Sequence, residues 1–291
     1  MLFKATKEGK SMNNIFTIDL EEWFHANYED NLFDNSKQYE VRVIKNTEKL
    51  LELLELNNSK ATFFTLGYIA EHHPELVKKI HECGHEIASH GMNHQLVYKQ
   101  DKEQFRQDIR KSKILLEDTI GDEVIGYRAP SWSITDKSKW AWEILNEEGF
   151  VYDASIFPIK NFLYGMPDSE RFIYHPIYEN KELSIVEVPC STVKIFGKNI
   201  PFSGGAYFRL FPLKFIKYFS KSVNSENKPV IFYIHPREID INQPRLNLGF
   251  RDSMIHYYGI KSSYRKLKVL NDENTFISIK QYIYNEKEIV K

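Results

Sequence analysis

Short apolar runs alternate with amphipathic stretches along most of the chain. Runs rich in β-branched and aromatic residues predict buried strands over 14–20, 60–66, 85–89, 124–128, 183–189 and 229–235. Apolar side chains at helical spacing predict helices over 41–56, 74–83, 101–117, 138–148 and 212–221. Strands that alternate with helices favour parallel pairing through right-handed crossovers. We therefore expect an α/β fold, a distorted (β/α) barrel of about seven parallel strands.

The chain has 291 residues, a length that such a barrel often occupies as one unit. We assign residues 13–240 to the main domain and residues 241–291 to a C-terminal extension packed on it, because no linker-like composition separates them. The extension is rich in Tyr, Lys and Asn, with one helix-like and one strand-like stretch.

Composition and charge exclude several classes of function. The 39 basic and 40 acidic side chains leave a formal charge of −1, so no broad basic surface is available for nucleic acid. No apolar stretch is long enough for a membrane span, and the leader lacks the apolar core of a secretory signal, so we expect a cytoplasmic protein. Cys83 and Cys190 do not make a disulfide framework, and we expect both to be small buried thiols.

Titratable side chains collect at the ends of predicted strands. In a β/α barrel the carboxyl ends of all strands open onto one face, where active sites are built. Four segments bring such residues to this face: Asp19 and Glu21, His90 and His94, Arg128, and His235.

His90 and His94 are spaced so that one metal ion can bind both rings if their segment is helical or a tight turn. The spacing alone is weakly specific in a chain with 10 His. Strand alternation places Asp19 and Glu21 on one side and Leu20 on the other. Two imidazoles and one carboxylate leave a position open for water in a catalytic zinc site, and a second carboxylate can accept the proton of that water.

Four motifs in this order carry a resemblance to a known family. TIDLEE (17–22), SHGMNH (89–94), RAPSWS (128–133) and IFYIHP (231–236) resemble the polysaccharide deacetylases of carbohydrate esterase family 4, which share the NodB-homology fold. The segments PFSGGAYFRLFP (201–212), FYIHPREID (232–240) and QPRLN (243–247) are similar to the branch of that family found in exopolysaccharide biosynthesis. The resemblance covers roughly 13–280 and makes 13–240 the expected catalytic domain.

The resemblance implies a role for each matching residue. Asp19 would be the general base, His235 the general acid that protonates the leaving amine, and His90 and His94 metal ligands. The family more often has a second Asp where this chain has Leu20; a minority form skips one residue. Glu21 then becomes the third ligand, with Glu22 as the alternative.

Other residues are placed around this centre. Arg128 would orient the base, the backbone N–H of Ser131 would help hold the oxyanion, and Asp153 would support His235. Gly204 with Gly205 is either a turn or an opening that lets a sugar ring approach the aromatic side chains nearby, and Trp23 and His25 either line the pocket or pack. The expected substrate contacts are Ser131, Trp132, Phe202, Gly204 and Tyr207.

The resemblance thus implies a hydrolase that uses a divalent metal, expected to be zinc, to remove N-acetyl groups from an amino sugar in a polysaccharide or its precursor. Its partner would be an N-acetylated carbohydrate, with neither nucleic acid nor stable membrane insertion. Two alternatives stay open: a deformylase or other linear amide hydrolase, and a non-catalytic carbohydrate-binding protein, which Leu20 favours.

Overall fold

The computed structural model describes residues 13–25, 39–161 and 164–286. The strands in this part of the chain are short and mostly buried: β1 (Ile15–Leu20), β2 (Thr62–Thr65), β3 (Glu86–Ser89), β4 (Gly126–Tyr127), β5 (Tyr152–Asp153), β6 (Ile177–Tyr178), β7 (Lys181–Glu182), β8 (Val186–Glu187), β9 (Thr192–Ile195), β10 (Lys198–Pro201) and β11 (Ile231–Ile234).

One seven-stranded sheet forms the centre of the molecule, in the order β11-β1-β2-β3-β4-β5-β8, and all its neighbouring strands are parallel. The sheet curls into an incomplete barrel whose edges are β8 and β11. A single parallel bridge between Gly204 and Tyr233 extends the β11 edge towards the gap. The predicted barrel is confirmed. β5 was not among the predicted strands, because two residues carry no readable period.

Alternation along β1 sets the two layers of the core. Phe16, Ile18 and Leu20 face the surrounding helices, whereas Ile15 packs with Phe64 and other apolar side chains inside the curled sheet. Asp19, near the end of β1, lies on the same face as Ile15 and therefore faces the barrel interior and not the helical layer.

Helices cover the outside of the sheet and lie within a few residues of the predicted ranges in the first part of the chain: α1 (Val43–Glu55), α2 (Gly67–His72), α3 (Pro74–Glu82), α4 (Lys102–Ile120), α5 (Trp140–Glu147), α6 (Gly205–Leu210), α7 (Leu213–Ser225), α8 (Phe250–Tyr257), α9 (Ile260–Glu273) and α10 (Ile279–Asn285). No helix in these described ranges has both the length and the apolar character needed to span a bilayer.

The C-terminal residues contain helices α8, α9 and α10, so the prediction of one helix and one strand there was wrong. Among the described residues of this region, strand pairing is limited to one bridge between Ile15 and Ile277. Helix α10 packs Ile279 and Ile283 into the interior cluster at the amino-terminal end of the barrel. Cys83 is exposed at the end of α3, which corrects its expected burial, while Cys190 is buried.

Candidate metal centre

The two acidic residues at the end of β1 face the barrel interior together. Leu20, between them, is fully buried in the outer core. Asp19 and Glu21 are only 4% and 2% exposed, so each carboxylate depends on protein partners. Alternation along the strand accounts for this arrangement, as the sequence predicted.

Glu21, His90 and His94 form a buried cluster whose potential ligand atoms all lie within 4.8 Å of one another. His94 Nε2 is 2.8 Å from Glu21 Oε2. The two histidines are brought together by a tight turn in which Gly91 has φ +76°, and the Asp108 carboxylate accepts the N–H of Met92 at 3.1 Å. Asp108 was not predicted to take part in this turn.

The protonation states of the cluster suit a cation. His90 Nδ1–H donates to the carbonyl of Arg128 at 2.7 Å, which leaves Nε2 with its lone pair. Burial lowers the pKa of His90 to about 4, so this ring is neutral near pH 7. Burial disfavours the charge of Glu21, yet its hydrogen bond and attraction to His94 hold its pKa well below the ordinary value. Two imidazoles and a charged carboxylate fit a divalent metal such as zinc.

Glu22 points to a different part of the molecule. Its carboxylate accepts the backbone N–H groups of Arg42 and Val43, at 2.9 and 3.0 Å, and so caps the start of α1. Of the two candidate carboxylates, the structure places Glu21 beside the histidines.

Asp19 is paired with Arg128 inside the barrel. Arg128 Nη1 is 2.6 Å from Asp19 Oδ1 and 2.9 Å from Thr17 Oγ1, and Nε donates to the carbonyl of Ala154 at 3.1 Å. The guanidinium also lies 3.9 Å from the centre of the Phe64 ring. Arg128 is 1% exposed, so this carboxylate is held in one orientation by a buried charge.

His235 closes the group from the side of β11. Its Nε2 lies 3.7 Å from both Asp19 Oδ2 and Glu21 Oε1. Its Nδ1–H donates to Glu238 Oε2 at 3.2 Å. Burial opposes the charged ring, but the hydrogen bond to Glu238 and the charge of Glu21 raise the pKa of His235 above its ordinary value.

The carboxylate that supports His235 is Glu238, and the prediction of Asp153 was wrong. Asp153 is fully buried between β4 and β8, where its carboxyl accepts the Trp142 Nε1–H at 3.0 Å and contacts Ser155. It also shares a hydrogen bond with the carboxyl of Glu187. Glu238 was missed, although its position three residues after a strand-ending His-Pro is capping-box spacing.

An aromatic cluster lies beside His235 and consists of Trp132, Phe157, Tyr164, Tyr207 and Tyr233, with Trp132 and Tyr233 centroids 4.9 Å apart. Tyr233 and His235 ring centroids are 6.3 Å apart, in an edge-on arrangement. Trp132 and the half-buried Tyr207 thus belong to the cluster beside His235, and their contact with a substrate stays a prediction.

Ser131 follows in a short turn directly after Arg128. Ser131 and Trp132 have φ values of 51° and 56°, an uncommon conformation for residues with side chains and one that concentrates at functional sites.

Phe202 and Gly204 do not line an opening. Phe202 is fully buried in the outer core, with its ring centroid 5.6 Å from that of Phe219. A Cβ at Gly204 would lie 2.1 Å from Tyr233 Cδ1, so packing against β11 requires the glycine. The expectation that both contact a sugar is corrected, because their neighbours in the fold occupy the space.

His25 and Trp23 pack behind the cluster. The His25 ring stacks on His94 with centroids 6.3 Å apart, and its Nδ1 accepts the Glu22 N–H at 3.0 Å. Burial lowers the pKa of His25 to about 3. Trp23 is 3% exposed and donates its indole N–H to the carbonyl of Glu40 at 3.0 Å. Of the two alternatives for Trp23 and His25, packing therefore applies to both.

Comparison with known families gives two matches along the chain. Residues 32–152 match the family model described as polysaccharide deacetylase. This part of the chain is therefore similar to polysaccharide deacetylase domains. Residues 154–284 match a second family, described as a domain of unknown function (DUF3473), so the residues around His235 and the C-terminal helices fall in this second match.

Named relatives match this chain over part of its length. A peptidoglycan deacetylase of Helicobacter pylori is 32% identical over 154 residues, which are 49% of this chain and 52% of that protein. A peptidoglycan-N-acetylglucosamine deacetylase of Bacillus cereus is 37% identical over 98 residues, 33% of this chain and 36% of that protein. The chain thus matches about half or less of the length of these relatives.

One solved structure shares the fold over almost the full chain. It is a candidate polysaccharide deacetylase from Mycobacterium smegmatis, 21% identical, with a TM-score of 0.63 over 98% of this chain and 94% of that one. At this identity the likeness describes the fold alone.

Proposed function

We propose that the protein is a metal-dependent deacetylase that removes N-acetyl groups from an amino sugar in a polysaccharide or its precursor. The observation that carries the proposal is the buried Glu21, His90 and His94 cluster, with Asp19 and His235 beside it. A base, a proton donor and a set of metal ligands in one interior are the parts that amide hydrolysis requires.

Glu21, His90 and His94 would hold the cation. When bound there, a divalent metal supplies Lewis acidity, which lowers the pKa of water and polarises an amide carbonyl. His94 Nε2 and Glu21 Oε2 lie 2.8 Å apart, and the buried His94 Nδ1 has no hydrogen-bond partner within the described residues. So compact and sparsely hydrogen-bonded a donor set supports a ligand at this place.

Asp19 is the general base in this proposal. Its Oδ1 accepts a hydrogen bond from the buried Arg128, which directs Oδ2 towards His235. A positioned carboxylate of this kind takes a proton from the attacking water.

His235 is the general acid. The amine that leaves an amide must gain a proton, and the raised pKa of His235 keeps a larger fraction of the ring charged near pH 7. The aromatic cluster next to it offers flat apolar faces that suit a sugar ring.

The proposal is tested by acetate release from N-acetylated oligosaccharides and peptidoglycan fragments, with and without chelator. We expect release that stops with chelator and returns with added zinc. Asp19→Asn should abolish turnover and leave metal content nearly intact, as measured by elemental analysis. Formate release from N-formylated sugars without acetate release would favour the deformylase, and bound metal without any hydrolysis would favour a binding protein.

A further inference from the structure

His235 is held from behind by one carboxylate at two points. Glu238 Oε2 accepts both the Nδ1–H of the His235 ring and the backbone N–H of His235, at 3.2 and 3.1 Å. Pro236 starts the short helical turn Pro236–Ile239 that brings Glu238 beneath the ring. Any rotation of the His235 ring, including one that moves Nε2 away from Asp19, would therefore break its hydrogen bond to Glu238.

The second oxygen of Glu238 belongs to a buried ion pair. Arg209 Nε donates to Glu238 Oε1 at 2.7 Å, and the two side chains are 2% and 1% exposed. Moving charged groups out of water costs free energy. A buried ion pair is therefore favourable only when the remaining N–H donors of the arginine also have hydrogen-bond partners.

The C-terminal helices provide those partners. Arg209 Nη1 donates to the carbonyls of His256 and Tyr258 at 3.1 and 2.5 Å, and Nη2 donates to that of Ile255 at 2.7 Å. All three acceptors lie at or just beyond the end of α8, which also suits a cation.

Helix α9 holds the same arginine through its backbone. Lys266 Nζ donates to the carbonyls of Phe208, Arg209 and Phe211, at 3.1, 2.8 and 2.8 Å, and so binds the carboxyl end of α6. At Gly259, where φ is +76°, a Cβ would lie 2.6 Å from the Arg209 carbonyl oxygen, so the chain passes close to α6. Residues 255–266 thus fix Arg209 from two directions.

We propose that Glu238 and Arg209 are positioning residues for His235, and that the C-terminal helices α8 and α9 maintain the proton donor through them. This rests on the proposed function, in which His235 protonates the leaving amine. Glu238 fixes the ring so that Nε2 faces the reaction centre, and Arg209 fixes Glu238. The C-terminal part of the DUF3473 match then contributes to catalysis without touching the substrate.

The test compares an N-acetyl sugar with an aryl acetate such as p-nitrophenyl acetate in the metal-loaded protein. An amine departs only after protonation, whereas a nitrophenolate departs without a proton. In Glu238→Gln a single acceptor oxygen replaces two, so it cannot serve both Arg209 and His235. We expect kcat on the amide to fall about 100-fold, within the range of general acid catalysis, with KM and ester hydrolysis changed little.

Two matched controls separate positioning from stability. Glu226→Gln removes another arginine–carboxylate pair, with Arg171; Glu226 lies at the end of α7 before β11 begins, whereas His235 follows the end of β11. Asp153→Asn removes the carboxyl first expected to support His235. Both should keep the wild-type ratio of amide to ester activity. If Glu238→Gln does not fold, Glu238→Asp serves instead. Aspartate keeps the charge, but its shorter side chain places the carboxylate further from the His235 ring, so the ratio of amide to ester activity should fall by a smaller factor.

Equal loss of amide and ester activity, or no loss on the amide, would overturn the proposal. Nitrogen-15 NMR of the histidine rings gives an answer that needs no substrate: the neutral His235 ring should carry its proton on Nδ1 in the wild type and lose this preference in Glu238→Gln. An unchanged ring spectrum would refute positioning. Absence of acetate release by the wild type, with the ring signal as expected, would refute only the proposed function.

Discussion

The pair formed by Arg128 and Asp19 should be energetically coupled, because each charge is buried and compensates the other. Arg128→Met keeps an apolar chain of similar length beside Phe64 but leaves the Asp19 carboxylate without its cation. Side-chain exposures of 1% and 5% allow little relief by water. Leaving one partner of a buried pair unpaired costs about 3–5 kcal/mol of unfolding free energy.

The same substitution in an Asp19→Asn background should cost much less. Asparagine carries no charge, so Arg128→Met then removes only neutral-acceptor hydrogen bonds, worth about 1–2 kcal/mol in total. The difference predicts a coupling free energy of about 2–3 kcal/mol.

Urea denaturation of the two single variants, the double variant and the wild type measures this coupling. Chelator is present throughout, so that metal affinity does not enter, and equal m values show that the same surface is exposed on unfolding. Arg110→Met, which removes an exposed pair with Glu148, serves as the control and should change the midpoint little. Single effects that add within about 0.5 kcal/mol would refute the coupling.

Three further outcomes are expected. His90→Ala should lose bound metal in elemental analysis, whereas the exposed His72→Ala should keep it; stoichiometric metal in His90→Ala would exclude His90 as a ligand. Burial raises the pKa of Asp153 to about 6 and that of Glu187 well above its ordinary value, so their contribution to stability is complete in acid and is lost as pH rises through these values. Glu187→Gln should therefore flatten the fall of the urea midpoint as pH rises from the ordinary glutamate value of 4.5 through the Asp153 value of about 6, and an unchanged slope would contradict this assignment. Gly204→Ala should destabilise the protein by about 1–3 kcal/mol, because the added Cβ would clash with Tyr233. Gly249→Ala, which has no atom near its Cβ, should leave the urea midpoint unchanged. Equal midpoints for the two variants would show that β11 moves to accept the methyl group.

The local sequence pattern is sufficient to predict much of the fold and of the candidate site. The period of apolar residues identifies most strands and helices, because each element must bury one face. The sequence indicates Asp19, Glu21, His90, His94, Arg128 and His235 for the same reason. Each lies at or within a few residues of the carboxyl end of a recognisable strand, and parallel strands bring these ends to one face. The two-residue β5 and the helical C-terminal region could not be read in this way, since one is too short for a period and the other lacks a clear one.

Only the tertiary structure decided which side chains complete the centre. Asp153 and Phe202 belong to motifs that resemble the family, yet their side chains are buried against Trp142 and Phe219 instead. Glu238 is close to His235 in sequence, but Arg209 reaches it from another helix, and the carbonyls that hold Arg209 lie 46 to 49 residues further along the chain. Such contacts depend on how whole elements pack. The sequence contains every residue that supports His235, but reading it one segment at a time does not show that these residues contact one another.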